Sequence, residues 1–156
     1  MCPLRYLHTL RCLLTHPHRT IPLAALTVND TGKPSVDKTA VLTTRETTLT
    51  IDTRKPYKLN AGTYGVCVYQ ISPTSITSNK QTDRVHYPEE RLTRIAREAA
   101  ESDAIFSLND RIGLVHDAMA LAKSGHASVS SALTVVDIFR DETECKYFGF
   151  WGMLSH

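Results

Sequence analysis

Along the first half of the chain, apolar and polar positions alternate in short runs; from Tyr87 onward they recur every three to four residues. The first pattern belongs to strands and the second to helices, because side chains alternate across a strand and return to one face of a helix after each turn. IPLAALTV (21–28) reads as a strand that ends at NDTGKP, a cluster of turn-forming residues. VDKTAVLTT (36–44) and TTLTID (47–52) read as two more. In the second of these, Thr48, Thr50 and Asp52 alternate with Leu49 and Ile51, as on a half-buried strand. YKLN (57–60) and AGTYGVCV (61–68) follow, and Gly62 and Gly65 permit a bend or a close backbone approach. These strands together predict part of a small antiparallel sandwich.

The helical half opens with PEERLTRIAREAAES (88–102), whose Pro88 and two glutamates suit the donor-rich start of a helix. Leu92, Ile95, Ala96 and Ala99 make one apolar stripe along it. Ser107 is the expected cap of a second helix, with Asp110 three residues on as its carboxylate partner and Gly125 as its stop. A third helix is expected roughly from Ser128 to Arg140, with Ala132, Val135, Val136 and Phe139 on one face. The predicted class is α+β in one chain: a partial antiparallel β-sandwich followed by the first α-helical hairpins of an α-solenoid-like helical domain. Between the halves, the polar stretch 68–83 has no apolar period beyond Val68–Ile71 and reads as a loop.

Composition narrows the function. A chain of 156 residues with 42% apolar content suits one domain or two small pieces of domains. Its 18 basic and 16 acidic residues leave a net charge of +2, which argues against a dedicated nucleic-acid surface. Cys2, Cys12, Cys67 and Cys145 have no ligand-like spacing and are read as free thiols. No apolar run is long enough for a membrane span, so no membrane partner is expected either. The first twenty residues carry three arginines and no acid, as a transit peptide does; the plainer reading is an unassigned N-terminal extension, 1–20, on a cytoplasmic protein.

Candidate chemistry is sparse. A zinc-protease helix needs two histidines one turn apart with a glutamate after the first, and no histidine here is followed by glutamate. His8, His16 and His18 cluster in sequence without a fold to fix them as ligands. There is no GxSxG elbow, no P-loop and no GxGxxG. Asp110, Arg111, His116 and Asp117 all fall in NDRIGLVHDAMALAKSG (109–125), which raises the question of an active site. His116 and Asp117 are consecutive, so they point roughly 100° apart on a helix and do not face each other. The four residues are better read as caps and pairs to neighbouring elements, or as groups facing a cavity, than as catalysts.

That same segment resembles the "DR-x-G-L-x-x-D-x-x-x-L-A-x-x-G" helix that opens the C-terminal helical domain of zinc aminopeptidases of the puromycin-sensitive and endoplasmic-reticulum aminopeptidase type. KPYKLNAGTYGVC (55–67) resembles the family's "K-L-N-x-G-x-x-G" junction between sandwich and helices, and IPLAALTV resembles its "W-x-I-P-L" strand without the tryptophan. SSALTVVDIFRDETE (130–144) resembles the next helix, with its "N-E-x-x-Y" end. The resemblance covers about 21–67 and 84–147, leaving 148–156 as an unassigned tail.

The resemblance implies a parent enzyme that removes N-terminal residues from peptides with a zinc-activated water. In that family the "GAMEN" and HExxH motifs lie in a catalytic domain upstream of the sandwich, and these residues contain neither. No catalytic residue and no zinc ligand is therefore carried over, and no cofactor is expected in this chain. Its expected role is to shape the substrate cavity, with peptide as a partner only in the full-length enzyme and a catalytic domain or a homologue as protein partner. The alternative is a stand-alone helical interaction module without peptidase activity. In the family the sequence runs from "Y-G-V-C/Y" directly into "R-V-x-Y-x-x-E-R-L"; here GVC (65–67) and RVHYPEERL (84–92) supply the two ends. Removing 68–83 restores that pattern in frame, so the stretch is expected to be a translated intron, with an insertion loop as the alternative.

Overall fold

The computed structural model describes residues 6–12, 21–43, 46–63, 69–70, 85–101 and 105–142. Its strands are β1 (Tyr6–Cys12), β2 (Ile21–Pro22), β3 (Ala25–Val28), β4 (Pro34–Asp37), β5 (Val41–Leu42), β6 (Glu46–Ile51), β7 (Tyr57–Lys58), β8 (Tyr69–Gln70) and β9 (Val85–His86). Helices α1 (Glu89–Glu101), α2 (Leu108–Lys123) and α3 (Val129–Ile138) follow, so the chain is α+β with strands first. The sheets run β6-β1-β8-β9, β2-β5 and β4-β3-β7, and every pairing is antiparallel except β8 with β9.

Two expected strands are broken, each for a local reason. IPLAALTV divides into β2 and β3 at Leu23–Ala24, where Ala24 has φ of 40°. The kink lets Leu23 N–H donate to Ala40 O (2.9 Å), while Leu23 O and Ala24 O accept from the N–H groups of Asn60 (2.9 Å) and Ala61 (3.0 Å). VDKTAVLTT ends β4 at Asp37, whose Oδ1 accepts from Thr39 N (2.8 Å) and Ala40 N (3.3 Å). An aspartate that bonds its own downstream backbone replaces the ladder with a turn. Among the described residues of the last strand segments, Tyr57–Lys58 is a strand and Ala61–Thr63 forms a 3₁₀ turn. The rest of AGTYGVCV lies outside the described residues, as do most of 68–83, the tail 148–156, and Cys2, Cys67 and Cys145.

Other elements match their signals. The NDTGK turn closes the β3–β4 hairpin, with Asn29 Oδ1 accepting from Thr31 N (3.0 Å) and Lys33 N (2.8 Å). Leu92, Ile95, Ala96 and Ala99 are the buried residues of α1. Ser107 and Asp110 form a reciprocal capping box on α2, and Gly125, at φ of 78°, follows its C-cap. Three described strands had no sequence assignment: β8 falls in 68–83, which reads as a loop, β9 precedes the helical pattern, and Tyr6–Cys12, inside 1–20, forms β1 and pairs with β6 from Tyr6↔Ile51 to Arg11↔Glu46. Its partner lies far along the chain, so no local pattern announces it.

A single apolar core joins strands and helices. Leu23, Leu26, Tyr57 and Leu59 from the sheets share one cluster with Ile95, Phe106, Leu114, Val135 and Phe139 from the helices, and α3 packs on both α1 and α2. No helix among the described residues is long and apolar enough to cross a membrane.

Two substitutions test this description by urea denaturation of the purified chain. Ile95 is fully buried, so Ile95→Ala should cost about 2–5 kcal/mol through the cavity it leaves. Ala24→Gly removes a Cβ held at positive φ, a relief of roughly 1 kcal/mol offset by the freer unfolded glycine; its midpoint should hold or rise. A fall at Ala24→Gly comparable with that of Ile95→Ala would mean that the kink is not as described.

Candidate functional site

The polar residues of NDRIGLVHDAMALAKSG go to different places. Asp110, Arg111 and Asp117 are buried, whereas His116 is exposed. The capping geometry turns Asp110 back toward the sheets: Ser107 is extended (φ −65°, ψ 162°) and the helix starts directly after it. There the carboxylate meets Lys58, which is only 3% exposed, as is Asp110 itself.

Asp110 gathers four donors. Its Oδ1 accepts from Lys58 Nζ (2.9 Å) and Gly62 N (2.7 Å), and its Oδ2 from Ser107 Oγ (2.6 Å) and Ser107 N (3.2 Å). Lys58 Nζ also donates to Asn60 O at 2.8 Å. Gly62 sits at φ of 73°, a conformation that glycine adopts without strain, and this aims its N–H at the carboxylate. Burial pushes the Asp110 carboxyl up, but the Lys58 charge and the bonds from Ser107 and Gly62 outweigh it and hold the group below its ordinary range. A carboxylate with all its lone-pair sites engaged cannot take a proton from a substrate. This arrangement is a structural clamp.

The neighbouring groups extend the clamp. Arg111 Nη1 donates to Phe106 O (3.2 Å), and its Nε lies 3.0 Å from Glu142 Oε2, tying the start of α2 to the chain leaving α3. Asp117 Oδ2 accepts from Val85 N (3.2 Å), holding β9 on α2. Tyr87 Oη accepts from Leu59 N (2.9 Å), and burial pushes its phenol up. Arg91 Nη2 donates to Tyr57 O (3.1 Å), and the guanidinium lies 3.7 Å from the Tyr57 ring centre. Lys58, Tyr87, Arg91 and Glu142 were not singled out from the sequence, whereas Gly62 was, as a point of close backbone approach. The KLN motif was the one available signal, since it placed Lys58 beside a junction.

Among the described residues no three His, Cys, Asp or Glu side chains come together in a way that could hold a metal ion.

Breaking the clamp has a stated cost. Lys58→Met leaves a buried carboxylate without its counter-charge and should destabilise the chain by about 3–5 kcal/mol. Asp110→Ala loses the ion pair, the cap and the Gly62 contact together, so it should be the worse of the two. Because the folded Asp110 carboxyl titrates below its unfolded value, its contribution is complete above the unfolded value and is lost as pH falls through the folded one. Acid unfolding of wild type and Asp110→Asn, followed by circular dichroism, should therefore converge at the acid end. Equal sensitivity to acid in both would remove Asp110 from the account.

Comparison with known proteins bears on the same segment. The family described as ERAP1-like C-terminal domain matches residues 83–154, running into the tail that the motifs alone had left unassigned. The alanine/arginine aminopeptidase of Saccharomyces cerevisiae is 28% identical over 107 residues, which is 69% of this chain and 10% of that protein. The chain thus spans about a tenth of the length of the curated relative it matches. Through residues 83–154 the chain is similar to the ERAP1-like C-terminal domain, and the two likenesses together support a C-terminal region of an ERAP1-like aminopeptidase.

Proposed function

We propose that this chain is the non-catalytic part of a zinc aminopeptidase that releases N-terminal residues from peptides, and that its helices help to shape the substrate cavity. The observation that carries this reading is the family match over 83–154, the segment that holds α1, α2 and α3. The buried Lys58–Asp110 pair supports it, since it fixes the helices to the sheets as one body able to hold a cavity wall in place. The relative's name, alanine/arginine aminopeptidase, suggests alanine and arginine as the residues released by the parent. Zinc and its ligands belong to the parent's catalytic domain in this reading, the helices continue into a solenoid-like array, and the compartment is cytoplasmic. The polar stretch 68–83 is a translated intron on the same reading.

A second reading, a stand-alone interaction module, is favoured by one surface. Val129 and Leu133, one turn apart on α3, are 62% and 51% exposed. A stripe of that kind binds a partner or is covered by further helices.

Full-length transcripts from the locus decide between them. The parent reading expects upstream exons that encode HExxH and GAMEN, joined in frame to this region with the codons for 68–83 spliced out. A message that starts at Met1 and keeps those codons overturns it. Given the joined message, the cavity role predicts that deleting 84–147 impairs turnover of peptides far more than that of alanyl or arginyl p-nitroanilide. Equal losses on both substrates would show that the helices only stabilise the enzyme.

A further inference from the structure

A cavity of about 200 Å³ lies where the lead-in to α1 meets the turn between α2 and α3, and two histidines from opposite sides line it. His86 comes from β9, directly before Tyr87 and α1; His126 comes from the turn that follows α2. Neither was singled out from the sequence, and neither takes part in the clamp. The two are placed differently. His126 Nδ1 lies 2.8 Å from Ser124 Oγ within its own turn. His86 Nδ1 is buried and has no hydrogen-bond partner.

We infer that His86 and His126 form an acid-sensitive latch, which holds the α2–α3 turn against the β9–α1 lead-in while His86 is neutral and loosens when it takes a proton. The cause is electrostatic. A proton on His86 places a charge in a half-buried setting where its Nδ1 has nothing to donate to. Burial disfavours that charge most, the neighbouring His126 disfavours it further, and a bond to the His126 backbone opposes them without winning; the ring therefore holds its proton less tightly than an ordinary histidine.

Besides the His126 backbone, one side chain of the lining works against the latch. From α1, Glu89 lines the cavity and attracts an imidazolium; Tyr87, buried and neutral, lines it beside His86. From α3 the lining groups are the uncharged hydroxyls of Ser128 and Ser131, and from α2 they are Ala118 and Leu121. Asp117 of α2 accepts from Val85 N, one residue from His86, so the strand that carries the latch is itself anchored to α2. With β9 held in this way, the α2–α3 turn is the side that yields.

The direction of the pH effect follows. The folded protein binds the His86 proton more weakly than the unfolded chain does. The stabilising contribution is thus complete above the ordinary histidine value and declines as pH falls from there toward the lower folded value. Ring-proton NMR of the 156-residue chain should show His86 titrating below the value of an ordinary histidine, and His126→Gln should move it upward. Thermal unfolding should show the wild-type Tm dropping several degrees more than that of His86→Gln between about pH 7.5 and about pH 5.5. A His86 resonance that titrates at or above the ordinary histidine value overturns the latch. So does a Tm that falls equally in both proteins, and the NMR arm decides the matter if His86→Gln does not fold.

Discussion

A lysine and an aspartate that leave water together set the frame of this chain. Lys58 ends a two-residue strand and Asp110 lies in the first turn of a helix, 52 positions further along the chain. Neither charge could stay buried without the other, because an isolated ion in a protein interior costs far more than any single contact returns. The surrounding details serve that requirement. Asn60, at φ of 55°, presents its carbonyl to the ammonium, and Gly62 presents its N–H to the carboxylate. Ser107 caps the helix and completes the acceptor side. A pair of this kind adds little net stability compared with apolar residues, but it permits one docking of the helices on the sheets and penalises others.

Around this point the apolar core is continuous. Leu23 and Leu59 on the sheet side and Ile95 and Leu114 on the helix side are all within 1% of complete burial and belong to one cluster. A chain of this size has little apolar material to divide, and sharing one core between two layers is the arrangement that buries most of it. The two layers named from the motifs are therefore separate in sequence pattern and joined in energy.

The helices were legible because their signals are local. The stripe of Leu92, Ile95, Ala96 and Ala99, the Ser107–Asp110 box and the Gly125 stop each lie within one or two turns of what they specify. The strands were legible only in part. Asp37 could bond forward into a turn or continue a ladder, and the sequence does not state which. Ala24 at positive φ is an exception that residue type does not advertise. β1 depends on a partner in another part of the chain. For the candidate site, Asp110 was recognised as a cap, whereas the burial of Lys58 ran against the usual exposure of lysine and became visible only in three dimensions. The four polar residues on α2 separate in the same way: three were drawn inward by partners that no spacing reveals, and His116 was not.

The Lys58–Asp110 contact also constrains how such a chain can be inherited. Exchange of helical segments between related chains is tolerated only when both sides of the buried pair travel together or when the incoming segment brings an aspartate at the same cap. A recombination breakpoint between the two residues, however well placed by the look of the motifs, delivers an unmatched charge to the interior. The junction therefore behaves as one heritable unit, and relatives should vary more freely on either side of it than across it.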